Sequence, residues 1–206
     1  MSNNRSRFRT RKGLTALVVI ALAALALVAS PSGAALAATS CTTSVPALSY
    51  TGAKPWSGSW VKTGAPFCAD PDNHLGLDWA PTDGKGHSVY SVVSGKVTDV
   101  IIDSADTTCH GTTVVVHDTV DGTVYLAYGH LNPGSLTVSE GDTVTKGERL
   151  GLAGHSGWCA DGIHLHLSAT RDWQGWNNSR YFNPCAFLKR GGVTLTAAED
   201  WCPGVS

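Results

Sequence analysis

Short runs of β-branched and aromatic residues alternate with turn residues through most of the chain beyond residue 87, and this pattern sets the first expectation. Residues 88–93 and 96–102 flank Ser94-Gly95, and residues 112–117 and 123–128 flank Asp121-Gly122. A turn dipeptide between two such runs is the short-range signature of an antiparallel hairpin, so two hairpins are predicted. Further strands fit residues 149–152 and 163–169. Beyond the N-terminal segment, no stretch of about twelve residues carries the 3.6-residue apolar period of a helix. The pattern therefore predicts a mainly β protein with antiparallel sheets, arranged as two sheets or a distorted barrel.

The N-terminal segment has a different character. Arg5, Arg7, Arg9, Arg11 and Lys12 precede an uncharged apolar run over residues 14–28, and Ala35-Leu36-Ala37 follows. A basic start, a short apolar run and a small-x-small site make an export signal over residues 1–37, and a spanning helix needs about 20 apolar residues. A secreted protein without a stable membrane anchor after cleavage is expected. Of the 206 residues, removal of 37 leaves 169, which suits one domain with a sizeable core. Fifteen basic residues less the five lost leave ten against sixteen acidic ones, a net charge of −6 with His neutral. No basic patch remains to neutralise phosphates, which argues against a nucleic-acid partner.

All six cysteines lie beyond the signal. An even count in an exported chain without a Cys-x-x-Cys pair reads as a disulfide framework. Pairing in chain order gives Cys41–Cys68, Cys109–Cys159 and Cys185–Cys202. Residues 38–72, rich in Ser, Thr, Gly and Pro, read as an irregular lead-in, residues 73–172 as the catalytic β domain, and residues 173–206 as an aromatic-rich extension packed on it. The tail's Trp173, Trp176, Tyr181, Phe182, Phe187 and Trp201 are expected chiefly in the core.

The chemistry concentrates in histidines. In Gly162-Ile163-His164-Leu165-His166-Leu167, residues two apart share a strand face, so both imidazoles point into one groove while the aliphatic residues bury the other side. His74-Leu75-Gly76-Leu77-Asp78 places a histidine and a carboxylate on one face, with a glycine between them that admits close approach. His130 ends a predicted strand in Tyr128-Gly129-His130-Leu131. Together they suit a site in which two histidines and an aspartate bind a metal, two histidines move protons, and a fourth ligand position stays open for water. No His-Glu-x-x-His or Gly-x-Ser-x-Gly is present, which excludes helix-borne zinc proteases and nucleophile-elbow hydrolases. His87 and His110 have no partner at a telling spacing and are expected outside the site. His117 alternates with Val114 and Val116 on a strand and is expected half-exposed, and His155, in a loop shortly before the key strand, is expected at the surface with a place in the cleft as the alternative.

The order His-x-x-x-Asp, Tyr-x-His-Leu and Gly-x-His-Leu-His resembles the lysostaphin-type, LytM-like zinc endopeptidases of peptidoglycan. The likeness runs from His74 to about Thr170 and takes in Asp78-Trp79-Ala80-Pro81, Val92-Val93-Ser94-Gly95-Lys96-Val97 and the stretch from Val138 to Gly147. It implies a disulfide-stapled β fold of the duplicated-hybrid-motif kind, with antiparallel sheets forming a narrow groove. It also implies one Zn2+ held by His74, Asp78 and His166, with His130 and His164 as the catalytic pair. The expected activity is secreted zinc-dependent hydrolysis of peptide bonds in peptidoglycan cross-links or stem peptides by a monomer. The alternatives are a secreted zinc protease for other proteins and a non-catalytic scaffold. Two departures stand out: Gly162-Ile163 replaces the usual Gly-Pro or Gly-Thr, and the tyrosine that some relatives place before the first ligand has no counterpart between Trp60 and His74.

Overall fold

A computed structural model describes residues 44–68, 74–176 and 180–202. The predicted signal segment and Cys41, with its proposed bond to Cys68, lie outside the described residues. Among the described residues ten strands and a short α-helix follow in order: β1 (Trp60–Thr63), β2 (Leu77–Pro81), β3 (Ser88–Tyr90), β4 (Gly95–Ile101), β5 (Thr112–Asp118), β6 (Tyr125–Leu131), β7 (Thr143–Val144), β8 (Arg149–Leu152), β9 (Leu165–Thr170), β10 (Tyr181–Phe182) and α1 (Pro184–Arg190). Among the described residues eight strands form one sheet, in the order β1-β2-β9-β6-β5-β4-β7, with β10 extending the edge of β9. Every pairing in it is antiparallel. A second sheet pairs β3 with β8. The protein is mainly β, as the alternation predicted.

Period-two alternation divides the central strands between two environments. Leu77 and Trp79 of β2, Leu126 and Tyr128 of β6, and Leu165, Leu167 and Ala169 of β9 enter one continuous core. Their neighbours Asp78, Gly129 and His166 take the opposite face. The register aligns these three in a single rung, with Asp78 opposite His166 and His166 opposite Gly129.

The hairpin across Asp121-Gly122 forms, as β5 and β6. The one predicted across Ser94-Gly95 does not. β3 leaves to pair with β8, and β4 pairs with β5 and β7 instead. Gly95 serves close packing rather than a turn: a Cβ there would lie 2.0 Å from the His117 carbonyl oxygen of β5.

The tail is woven into the sheet. Glu199, only 2% exposed, takes hydrogen bonds from Trp56 Nε1 (2.9 Å) and Lys54 Nζ (2.8 Å), while its backbone carbonyl accepts from Trp79 Nε1 (2.8 Å). Trp201 Nε1 donates to the Asp78 carbonyl at 3.1 Å. Asn183 caps α1 by accepting from the Cys185 and Ala186 amides, and Pro184 fills the first helical position. Tyr181, Phe182 and Phe187 are fully buried, and disulfides join Cys109 to Cys159 and Cys185 to Cys202.

Gly95→Ala is expected to destabilise the fold by about 2 kcal/mol or more, because β4 must move away from β5 to admit one methyl group. A urea midpoint measured against wild type checks this.

Candidate active site

Asp78 and His166 of the Asp78–His166–Gly129 rung line an open groove of about 990 Å3. His74, three residues before β2, folds over the carboxylate from the loop side. Its Nε2 lies 3.2 Å from Asp78 Oδ2 and 3.2 Å from His166 Nδ1, and His166 Nδ1 lies 2.9 Å from Asp78 Oδ1. Two glycines make room. A Cβ on Gly76 would sit 2.4 Å from His166 Nε2, and one on Gly64, whose φ is +71°, would sit 2.3 Å from Asp78 Oδ2.

The outer ring nitrogens fix the tautomers. His74 Nδ1 lies 2.8 Å from the Ala65 carbonyl, which can only accept, so that nitrogen carries the proton. Ser168 Oγ gives its only hydrogen to the Leu75 carbonyl (2.7 Å) and so accepts from His166 Nε2 (2.9 Å). In the neutral rings the inner nitrogens are then bare lone pairs, facing each other and two carboxylate oxygens. Positive charge must relieve that crowding. Tetrahedral metal bonds of ~2.0–2.1 Å put donors roughly 3.3–3.4 Å apart, close to the 2.9–3.2 Å found here. The donor set, its spacing and its anchored outer nitrogens fit a divalent cation.

Without an ion the same demand falls on protons. Burial disfavours charge on Asp78, yet hydrogen bonding to His166 and His74 outweighs it and holds the carboxyl well below its usual range. Burial likewise opposes a charged His74, but Asp78 wins and raises its pKa. In His166 burial wins and lowers it. Among the described residues the other cluster of metal-binding residue types, Cys185, Asp200 and Cys202, has both its cysteines in a disulfide.

His130 and His164 stand alongside, with ring centroids 4.4 Å apart. Each anchors its Nδ1 on a carbonyl, His130 on Ser156 at 2.8 Å and His164 on Gly162 at 2.9 Å, so each neutral ring carries its acceptor lone pair on Nε2. Burial, reinforced by His166 and His164, pushes His130 down to about 3. His130 reaches the groove through a β-bulge: Thr112 pairs with Leu131 and Val114 with Tyr128, so Thr113 alone opposes both Gly129 and His130. The bulge holds His130 at φ +58°, a conformation that non-glycine residues adopt only at a cost.

Residues 72–184, more than half of the chain, match the family model "Peptidase family M23". The chain belongs to peptidase family M23. It is similar to the antimicrobial peptidase lysostaphin from Staphylococcus simulans, with a TM-score of 0.54 and 25% identity over 69% of this chain and 59% of that one. A mutant catalytic domain of the prophage-encoded M23 protein EnpA from Enterococcus faecalis shares the fold, with a TM-score of 0.51 and 24% identity over 64% of this chain and 94% of that one. Endolysin 2638A of Staphylococcus phage 2638A is 32% identical over 135 residues, 61% of this chain and 27% of the endolysin. The chain thus spans about a quarter of that relative's length.

All five histidine and aspartate positions singled out from the sequence line the M23 groove, and so does His110, which was expected outside it. Its ring stacks on Trp176 at 3.6 Å and 7°, with its centroid 5.0 Å from that of His166. Burial, then His166 and His130, push it down to about 2. Trp176, expected in the core, lines the groove instead, and Trp158, 68% exposed, stands at its lip. The remaining histidines stay outside: His87 pairs with Asp83, His117 stacks on Tyr125, and His155 is exposed.

Ser168→Ala should lower divalent-ion affinity by about 10–100-fold with the fold intact, measured by competition with a chromophoric chelator. His130→Gly should be more stable than His130→Ala by about 1 kcal/mol in chemical denaturation, since alanine keeps the left-handed penalty and glycine does not.

Proposed function

We propose that this protein is a secreted zinc endopeptidase that hydrolyses peptide bonds in the cross-links or stem peptides of peptidoglycan. The observation that carries this reading is the convergence of the His74 Nε2, His166 Nδ1 and Asp78 lone pairs on one point, with both outer ring nitrogens tied off. His74, Asp78 and His166 would hold the ion, which when bound polarises a carbonyl and lowers the pKa of its water from 15.7 to about 7. Two neutral nitrogen ligands and one carboxylate suit zinc, and three protein ligands are the number a catalytic site uses.

The remaining work belongs to the chain. His130 and His164 each offer Nε2 as a proton acceptor at a position fixed by a carbonyl behind the ring. One can take the proton of the attacking water and the other can pass a proton to the departing amine. Burial pushes the pKa of His130 down to about 3, so its resting ring is neutral with Nε2 free to accept a proton. The groove is open to solvent, as entry of a peptide requires.

Peptidoglycan as substrate rests on the sequence likeness and on relatives described as an antimicrobial peptidase and an endolysin. Export rests on the basic, apolar and small-residue succession of residues 1–37. The mature protein is expected to bind one zinc per chain by elemental analysis and to release peptides from purified sacculi, with casein left intact. Chelation should abolish the release and added zinc restore it. Chelator-insensitive lysis would overturn the metal assignment, and cleavage of casein in preference to sacculi would overturn the substrate.

A further inference from the structure

His110 is the one groove-lining histidine outside the metal and proton-transfer sets, and its setting is built with as much care as theirs. Its carbonyl accepts from the His130 amide at 2.8 Å, which ties it to the bulge that aims His130. On one side the Cys109–Cys159 disulfide fixes the chain. On the other, Gly111, at φ +60°, packs so tightly on Ser156 that a Cβ would lie 2.1 Å from its carbonyl oxygen. Trp176 backs the ring face to face at 3.6 Å. The ring plane is therefore set by its surroundings.

Its nitrogens are not. Among the described residues none hydrogen-bonds to either nitrogen of His110, and neither is a buried atom left without a partner, so both are open to the groove. The other four rings offer lone pairs there, because their N–H groups point outward to Ala65, Ser156, Gly162 and Ser168. A peptide lying in the groove brings carbonyl oxygens that need donors, and an imidazole carries at least one N–H in every protonation state. His110 supplies the ring N–H that this group of five otherwise lacks.

We infer that His110 is a substrate-contacting residue whose ring N–H donates to a carbonyl oxygen of the bound peptide beside the bond that is cut, with Trp176 holding the ring in place. The inference rests on the peptidase reading of the site. Loss of one hydrogen bond to a bound peptide carbonyl costs up to roughly tenfold in kcat/KM.

The test compares wild type with His110→Phe, which keeps a ring against Trp176 and removes the N–H, and with His110→Asn, which restores a side-chain donor. Each zinc-loaded protein is assayed on purified sacculi, and binding of soluble muropeptides is followed by calorimetry. The inference expects His110→Phe to lose roughly tenfold in kcat/KM at unchanged zinc content and thermal midpoint, and His110→Asn to recover part of that loss. A His110→Phe enzyme as active as wild type would overturn the inference alone. A wild type that neither cleaves sacculi nor binds muropeptides would overturn it together with the peptidase reading.

Discussion

A buried carboxylate ringed by imidazoles whose protons point away from it is the constraint on which the rest of this structure depends. Asp78 is 8% exposed and His166 is 2% exposed, and an unpaired charge at that depth is among the costlier things a fold can hold. The surroundings meet that cost by geometry. The β2–β9–β6 register puts Asp78, His166 and Gly129 in line, Gly76 and Gly64 leave room for the rings to close on the carboxylate, and Ala65 and Ser168 decide which nitrogens face it. Each of these is a backbone or small-residue feature. The site is therefore specified less by its ligands than by the sheet that brings them within 3.2 Å of one another.

How much of this was legible in the chain depended on distance along it. Strand period made the common face of His164 and His166 readable, because it needs only alternation within one segment. The β5–β6 hairpin was readable for the same local reason. Gly95 was misread because a turn and a close strand crossing both call for a residue without a Cβ, and only the neighbouring carbonyl of His117 tells them apart. The role of His110 had no local signal at all: its partners Trp176 and His166 are more than fifty residues away, and the loop that carries it is shaped by a disulfide to Cys159. Trp176 looked like core because tryptophan usually is.

The histidines also show how one sheet separates two kinds of work. Those facing Asp78 are anchored through whichever nitrogen lies farther from it, and those of the second pair through Nδ1 on carbonyls of neighbouring loops. His130 cannot be reached by regular pairing. A bulge and a left-handed residue lift it out of the ladder, and a hydrogen bond from its amide to the His110 carbonyl holds it there. Irregularity in β6 thus lies where the groove needs a side chain that an ideal strand would have directed elsewhere.

Glu199 and Trp201 carry a consequence for how this unit can be moved between proteins. The first ties Lys54, Trp56 and Trp79 into one buried knot, and the second grips the backbone carbonyl of Asp78 itself. The stretch that carries the family likeness, residues 72–184, stops short of both ends of that knot. Recombination that excised only this stretch would leave a groove wall without its clasp. A cassette that keeps this clasp begins no later than Lys54 and ends no earlier than Trp201.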